Sequence, residues 1–407
     1  MKTKPFLLAL AVLSGTSLCP AQTNQPAAAD DWIPATSNQQ GRQFPQVNSE
    51  RRVRARVVAP SAQSVQLDIG GRKYPQTKGD DSAWIGYSAP LDEGFHYYQL
   101  NIDGASVPDP GSMYFYGASR WGSGFEVPAP DQGFYAVKNV PHGDLRQAFY
   151  FSKNANAVLR CFIYTPPDYE KDASRRYPVL YLQHGGGEGE TGWGSQGHAG
   201  LIMDNLIADG KANPFFIVMA NSYGPGANVF GGGAAATNLA TNGIARGISG
   251  PGVRRFDFSA FTQVLTEDLI PFVDAHFRTL PDQPHRAMAG LSMGGMQTRS
   301  ITLANLDKFP HIGVFSGGSI AANDVTDSDA FKQKVKLVFV SYGSRELGGN
   351  RPGAGRGGFG GDPKLNTEAL HAVGINCHFY VPPETAHEWQ SWRRSLHEFA
   401  PLLFKNQ

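Results

Sequence analysis

A serine hydroxyl is a poor nucleophile at neutral pH unless a base lies within hydrogen-bond reach and an acid orients that base. Gly290-Leu291-Ser292-Met293-Gly294 sets a serine where such activation occurs, because G-x-S-x-G stands between a strand-like run at 285–289 and a helical run at 296–303. The glycines let strand and helix close on the serine, and the helix aims its free N–H groups at the reacting centre. A glycine-rich turn with an incidental serine would carry the same five letters, so the remaining parts must be found elsewhere in the chain. One is His184-Gly185-Gly186-Gly187, directly after the apolar run 179–183, a loop of the HGGG type whose backbone faces a carbonyl oxygen as it gains charge. The expected oxyanion donors are the N–H groups of Met293 and Gly186.

With a serine of this kind the chain order is serine, acid, histidine. His387 fits the last place, after the strand-like run 375–381 and a proline-containing loop, and just before a final helix. The other histidines of this region sit on helices (His371, His397), in mid-strand (His378) or before strands (His285, His311). Glu346 follows the apolar run 335–341 and is the expected acid, with Asp362 as the alternative. Glu346 could otherwise be an exposed loop carboxylate paired with Arg345. His387-Glu388-Trp389-Gln390-Ser391 lacks the second histidine of a zinc motif, so no metal is expected, and no cofactor.

These residues need a sheet to bring them together. From about residue 143 the chain alternates strands (157–164, 177–182, 214–220, 285–289, 311–316, 335–341, 375–381) with helices (201–209, 261–276, 296–303, 389–404). That alternation predicts an α/β fold, a doubly wound, mostly parallel sheet covered on both faces, with ligands beyond the carboxyl ends of its strands. Each candidate residue falls at such an end. Residues 46–135 read differently, as short alternating runs at close intervals, which predicts a small antiparallel β-sandwich. Two glycine-rich stretches, 224–252 and 348–361, read as long loops; a G-x-G-x-x-G match inside the second opens no apolar helix and predicts no dinucleotide site.

The chain has 407 residues, net charge +1, 17% charged residues, 48 glycines and 28 prolines. With no basic block, nothing suggests a nucleic-acid surface. Lys2, Lys4, the apolar core 6–13 and Cys19-Pro20-Ala21 read as a signal peptide over 1–21, which predicts a secreted or periplasmic protein with no membrane association after cleavage. Residues 22–45, rich in Ala, Gln, Asn, Asp and Pro, read as a disordered linker. Cys161 and Cys377 lie in strand-like runs far apart in the expected sheet and are expected as free buried thiols.

Two resemblances sharpen this reading. Val57-Val58-Ala59-Pro60-Ser61-Ala62-Gln63-Ser64-Val65, Gly94-Phe95-His96-Tyr97-Tyr98, Asp103-Gly104 and Asp109-Pro110 resemble the immunoglobulin-like family 48 carbohydrate-binding module of glycogen-branching enzymes and isoamylases. The domain so identified either binds sugar or only braces its neighbour.

Residues 145–404 resemble carbohydrate esterase family one, an esterase D-like branch of the α/β-hydrolases that includes feruloyl and acetyl xylan esterases. The stretches that carry it are Tyr181-Leu182-Gln183-His184-Gly185-Gly186-Gly187, Glu190-Thr191-Gly192-Trp193, Leu269-Ile270-Pro271-Phe272-Val273, 285–295 and His387-Glu388-Trp389-Gln390-Ser391-Trp392-Arg393-Arg394. The resemblance implies Ser292 as nucleophile and His387 as base over residues 136–407, with glutamate at 346 where the family commonly has aspartate. Fusion to a family 48 module resembles feruloyl esterases of xylan-degrading bacteria. It implies feruloyl esters of plant cell-wall xylan as substrate, with Trp193, Tyr223 and Trp389 as walls for an aromatic acyl group. The alternatives are an acetyl xylan esterase, a siderophore-ester hydrolase of the enterochelin esterase type, which the module pairing disfavours, and, in another class, an inactive carbohydrate-binding protein.

Overall fold

A computed structural model describes residues 30–223, 257–347 and 361–405. The expected signal peptide, the stretch 224–252 and all but the last residue of 348–361 lie outside the described residues.

The N-terminal β unit holds β1 (Ile33–Pro34), β2 (Gln46–Val47), β3 (Val53–Val58), β4 (Val65–Ile69), β5 (Arg72–Pro75), β6 (Thr77–Lys78), β7 (Ala83–Tyr87), β8 (Gly94–Ile102), β9 (Ala105–Val107), β10 (Tyr114–Gly117) and β11 (Arg120–Val127). One antiparallel sheet runs β1-β2-β3-β7-β6, the other β10-β11-β8-β4-β5 with β9 on β8. The alternation read from the sequence is the reason: Val53 and Ala55 of β3 point inward while Arg54 and Arg56 do not, and Val65, Leu67 and Ile69 of β4 do the same. Inward residues of both sheets, among them Val53, Leu67, Leu100 and Phe125, form one shared core.

Residues 30–45 correct the expected disorder of 22–45. β1 pairs with β2, and Ser37 ties the segment to the second sheet by donating to Gly124 O (2.7 Å) and accepting from the Met113 N–H (2.8 Å). Backbone pairing, Ala35 in the shared core and Arg54 stacked on the Trp32 and Phe44 rings hold this mostly polar segment in place.

The C-terminal part is built on one sheet of β12 (Asp144–Ser152), β13 (Ala157–Thr165), β14 (Val179–Gln183), β15 (Phe216–Ala220), β16 (Arg286–Leu291), β17 (His311–Phe315), β18 (Leu337–Ser341) and β19 (Cys377–Tyr380), in the order β12-β13-β15-β14-β16-β17-β18-β19. β13 pairs antiparallel with β12 and β15, and the rest is parallel. β14 to β18 are buried throughout, as parallel strands covered on both faces must be. Helices α1 (Ala199–Ala208) and α7 (Trp389–Phe399) pack Ile202, Met203, Leu206, Leu396 and Phe399 into one core. A second core takes Phe261, Leu265 and Val273 from the run comprising α2 (Ser259–Gln263), a π-helical stretch (Val264–Leu269) and α3 (Ile270–His276), with Ile301 from α4 (Met293–Ala304). Two further helices, α5 (Ser328–Lys334) and α6 (Pro363–Ala372), cover β17 and β18 through Phe331 and Leu370. Cys161 and Cys377 are free; Cys161 is buried as expected while Cys377, on the edge strand β19, is only half-buried, and desolvation pushes both thiols up to about 12.

Candidate functional site

β16 ends at Leu291 and α4 begins at Met293, so Ser292 alone makes the turn, at φ 53 and ψ −116. Such a backbone costs a non-glycine residue about 1–3 kcal/mol. Its neighbours leave no room for side chains: a Cβ on Gly290 would lie 2.5 Å from the Gly294 carbonyl, and one on Gly294 2.5 Å from His184 O. The Ser292 N–H is spent on Phe315 O (2.8 Å), which locks the turn to β17.

The Ser292 hydroxyl lies 2.9 Å from His387 Nε2, and His387 Nδ1 lies 2.8 Å from Glu346 Oε1. The three side chains come from the carboxyl ends of β16, β18 and β19. Glu346 is largely buried, and its second oxygen accepts from the Gly343 N–H (2.7 Å) and the Ser316 hydroxyl (2.8 Å). Ser316 in turn accepts from Trp392 Nε1 (3.1 Å), and the Trp392 ring meets the His387 ring edge-on at 5.1 Å. Arg345 does not pair with Glu346; it reaches Asp92 of the β unit at 2.9 Å. Asp362, the alternative acid, caps α6 by accepting from the Lys364 and Leu365 N–H groups.

On the other side of Ser292 stands the loop after β14. Met293, as first residue of α4, has no carbonyl one turn back to accept its N–H. Gly186 borders open space, with nothing within 4 Å of where its Cβ would be. His184 is buried beneath the loop. Its Nε2 accepts from the Ser222 N–H (3.0 Å), so its Nδ1 carries the proton and donates to Gly185 O (2.8 Å). Burial lowers its pKa and keeps it neutral. Tyr223 touches the same loop, its hydroxyl accepting from the Gly187 N–H.

The expected aromatic walls divide. Tyr223 is partly accessible beside the loop. Trp193 and Trp389 are core, 1% and 2% exposed, packed edge-on at 5.4 Å. Both indole N–H groups are satisfied inside, by Gln183 O and by the Tyr97 hydroxyl, so neither lines a cleft. Ser316, Trp392 and Tyr97 were not singled out as site residues. The sequence signals for them are the place of Ser316 directly after β17 and that of Trp392 in the 387–394 stretch of the family resemblance.

A hydroxyl, an imidazole and a carboxylate in one hydrogen-bonded line, beside backbone donors at the carboxyl edge of a mixed sheet, are suited to acyl transfer. Fold and site together define an α/β-hydrolase that cleaves carboxylic esters. The chain belongs to the Esterase family, whose model matches residues 152–403. It is 42% identical over 384 residues to an endo-1,4-beta-xylanase/feruloyl esterase of Xylanibacter ruminicola, an alignment covering 92% of this chain and 48% of that protein. It is 24% identical over 298 residues to endo-1,4-beta-xylanase Y of Acetivibrio thermocellus, covering 68% of this chain and 24% of that one. The chain thus spans half or less of these curated relatives. Among solved structures, a ferulic acid esterase of Anaeromyces mucronatus shares the fold at TM-score 0.50 and 19% identity, over 68% of this chain and 96% of that one. The ferric enterobactin esterase of Salmonella typhimurium aligns at TM-score 0.52 and 14% identity, over 92% and 96%.

Proposed function

We propose that this is a secreted or periplasmic serine esterase that removes feruloyl (hydroxycinnamoyl) groups from plant xylan or its oligosaccharides. The observation that carries the mechanism is the Ser292–His387–Glu346 line at 2.9 and 2.8 Å. His387 Nε2 takes the Ser292 proton as Oγ bonds to the ester carbonyl carbon. Glu346 holds the imidazole in the required tautomer and stabilises its charged form. The carbonyl oxygen becomes negative against the Met293 and Gly186 N–H groups. Collapse breaks the ester bond, and the sugar oxygen leaves with the proton from His387. Water, deprotonated by His387, then releases the carboxylic acid and restores Ser292.

The substrate reading is supported by the 42% identical relative, whose name joins xylanase and feruloyl esterase. The basic and apolar start of the chain supports export. The β unit, with two antiparallel sheets on one core, is consistent with the immunoglobulin-like carbohydrate-binding type. The test is release of ferulate from methyl ferulate and from feruloylated arabinoxylan, wild type beside Ser292→Ala. Turnover lost in the variant supports the reading. Serine-dependent release of acetate from acetylated xylan without release of ferulate would move the substrate to acetyl esters. Sugar binding with no hydrolysis of either would make the protein an inactive binder.

A further inference from the structure

The loop at 185–187 sits between β14 and α1 with no regular structure of its own, and three successive glycines make it costly to hold in one shape. Its own domain holds it at His184 and through Tyr223. Residues 187–189 are held from the β unit as well. At Gly187 the carbonyl accepts the Ser119 N–H at 2.8 Å. Ser119 and Ala118 form the two-residue tip between β10 and β11, both at positive φ (63 and 49). A Cβ on Gly187 would stand 3.2 Å from Ser119 N. At Glu188 the carboxylate accepts from the Tyr97 hydroxyl of β8, 2.9 Å from either oxygen, and from Gln196 Nε2 at 3.1 Å. Gln196 also donates to Tyr116 O of β10 at 2.8 Å. At Gly189 a Cβ would lie 3.3 Å from the Tyr116 ring. Burial pushes Glu188 up to about 7 against the pull of its donors, so the carboxylate depends on them.

The β unit has other attachments as well. Arg393 to Glu126 (2.6 Å), Arg394 to Asp131 (2.7 Å) and Arg345 to Asp92 (2.9 Å) tie it on separately, two of them from α7.

We propose that Tyr97 and the Ala118–Ser119 tip of the N-terminal β unit are positioning elements of the ester-cleaving site, which clamp residues 187–189 so that the Gly186 N–H faces the oxyanion. This rests on the reading of Gly186 as an oxyanion donor. A donor fixed in advance stabilises charge without reorganising, and a loosened one forfeits part of that gain.

The test uses the full chain carrying Tyr97→Phe, which keeps the ring and removes the hydroxyl, beside Asp131→Asn, which weakens attachment without touching the loop. Two readouts are independent of the natural acyl group: kcat and KM for 4-nitrophenyl acetate, and the rate of Ser292 labelling by a fluorophosphonate. For Tyr97→Phe we expect kcat and the labelling rate to fall together, about tenfold, with KM within twofold. For Asp131→Asn both rates stay at the wild-type level while Tm falls. Deleting Ala118 and Ser119, which withdraws the N–H given to Gly187 O, should lower both rates as Tyr97→Phe does, and unchanged rates there would remove the tip from the clamp. Unchanged rates in Tyr97→Phe, or an equal loss in Asp131→Asn, would overturn the inference. A wild type that is labelled and cleaves 4-nitrophenyl acetate but releases no ferulate would sink the feruloyl reading and leave this one standing. A wild type that is not labelled would sink both.

Discussion

Arg393 of α7 places its guanidinium, wholly out of solvent, against the Glu126 carboxylate of β11, with Nη1 at 2.6 Å and Nη2 at 3.1 Å. Nε and Nη2 also donate to Gln196 O, and Cζ lies 4.5 Å from the Tyr135 ring centre. Removing one partner of such a pair strands the other charge, at a cost of about 3–5 kcal/mol. Arg393→Met is therefore expected to lower the urea midpoint strongly, and Arg393→Met with Glu126→Leu to recover much of the loss. Both halves of the chain share this pair, so wild type should melt in a single calorimetric transition.

Glu346→Gln is expected to reduce kcat by about 10⁴-fold with little change in Tm. Oε2 accepts from the Gly343 N–H and the Ser316 hydroxyl, so the amide oxygen of glutamine will take that place. The amide nitrogen then faces His387 Nδ1 and selects the tautomer that presents N–H, not a lone pair, to Ser292. Steady-state kinetics beside a thermal melt checks this.

Ser316→Ala tests the next link. It removes one donor from Glu346 and leaves Trp392 Nε1 without its acceptor. A hydrogen bond to a charged group contributes about 1.5–3 kcal/mol, part of which Gly343 retains. We expect kcat to fall about tenfold with KM unchanged. An unchanged kcat would remove Ser316 from the machinery.

Two buried histidines, His198 and His311, weaken the fold in acid. Burial depresses His198 to about 3, with Arg393 adding to the effect, and depresses His311 to about 4. Both folded values lie below the unfolded value of 6.5. Between these limits the unfolded chain binds more protons at these two sites, so their contribution is complete above about pH 7 and is lost as pH drops through 6 and 5, while Glu188, raised to about 7, opposes them in the same range. At pH 5 each site accounts for about 2 kcal/mol. His198 has φ 52, a conformation asparagine tolerates, so His198→Asn should flatten the fall in Tm between pH 7 and 5.

The parts of the site that follow a strand were legible. Ser292, Glu346 and His387 each stand just past a run apolar enough to read as a strand, and chain order sorted their roles. What was not legible depends on distance in sequence. Ser316 meets Glu346 across 30 residues, and Tyr97 meets Glu188 across 91. Local spacing carries no trace of either contact. Trp193 and Trp389 misled because an aromatic that packs another aromatic has the same letter as one that faces a ligand. β12 escaped because it is an edge strand whose Leu145, Phe149 and Phe151 are exposed, which blurs the inside-outside pattern. At 30–45 a polar composition hides an ordered segment, since its order comes from strand pairing and from contacts with residues far along the chain.

The left-handed turn at Ser292 puts the hydroxyl we propose as nucleophile at a position where the folded chain is under tension. Glycine would adopt φ 53 freely. A library screened for heat tolerance alone would therefore reward loss of the nucleophile. Any effort to harden this protein must select for turnover in the same round.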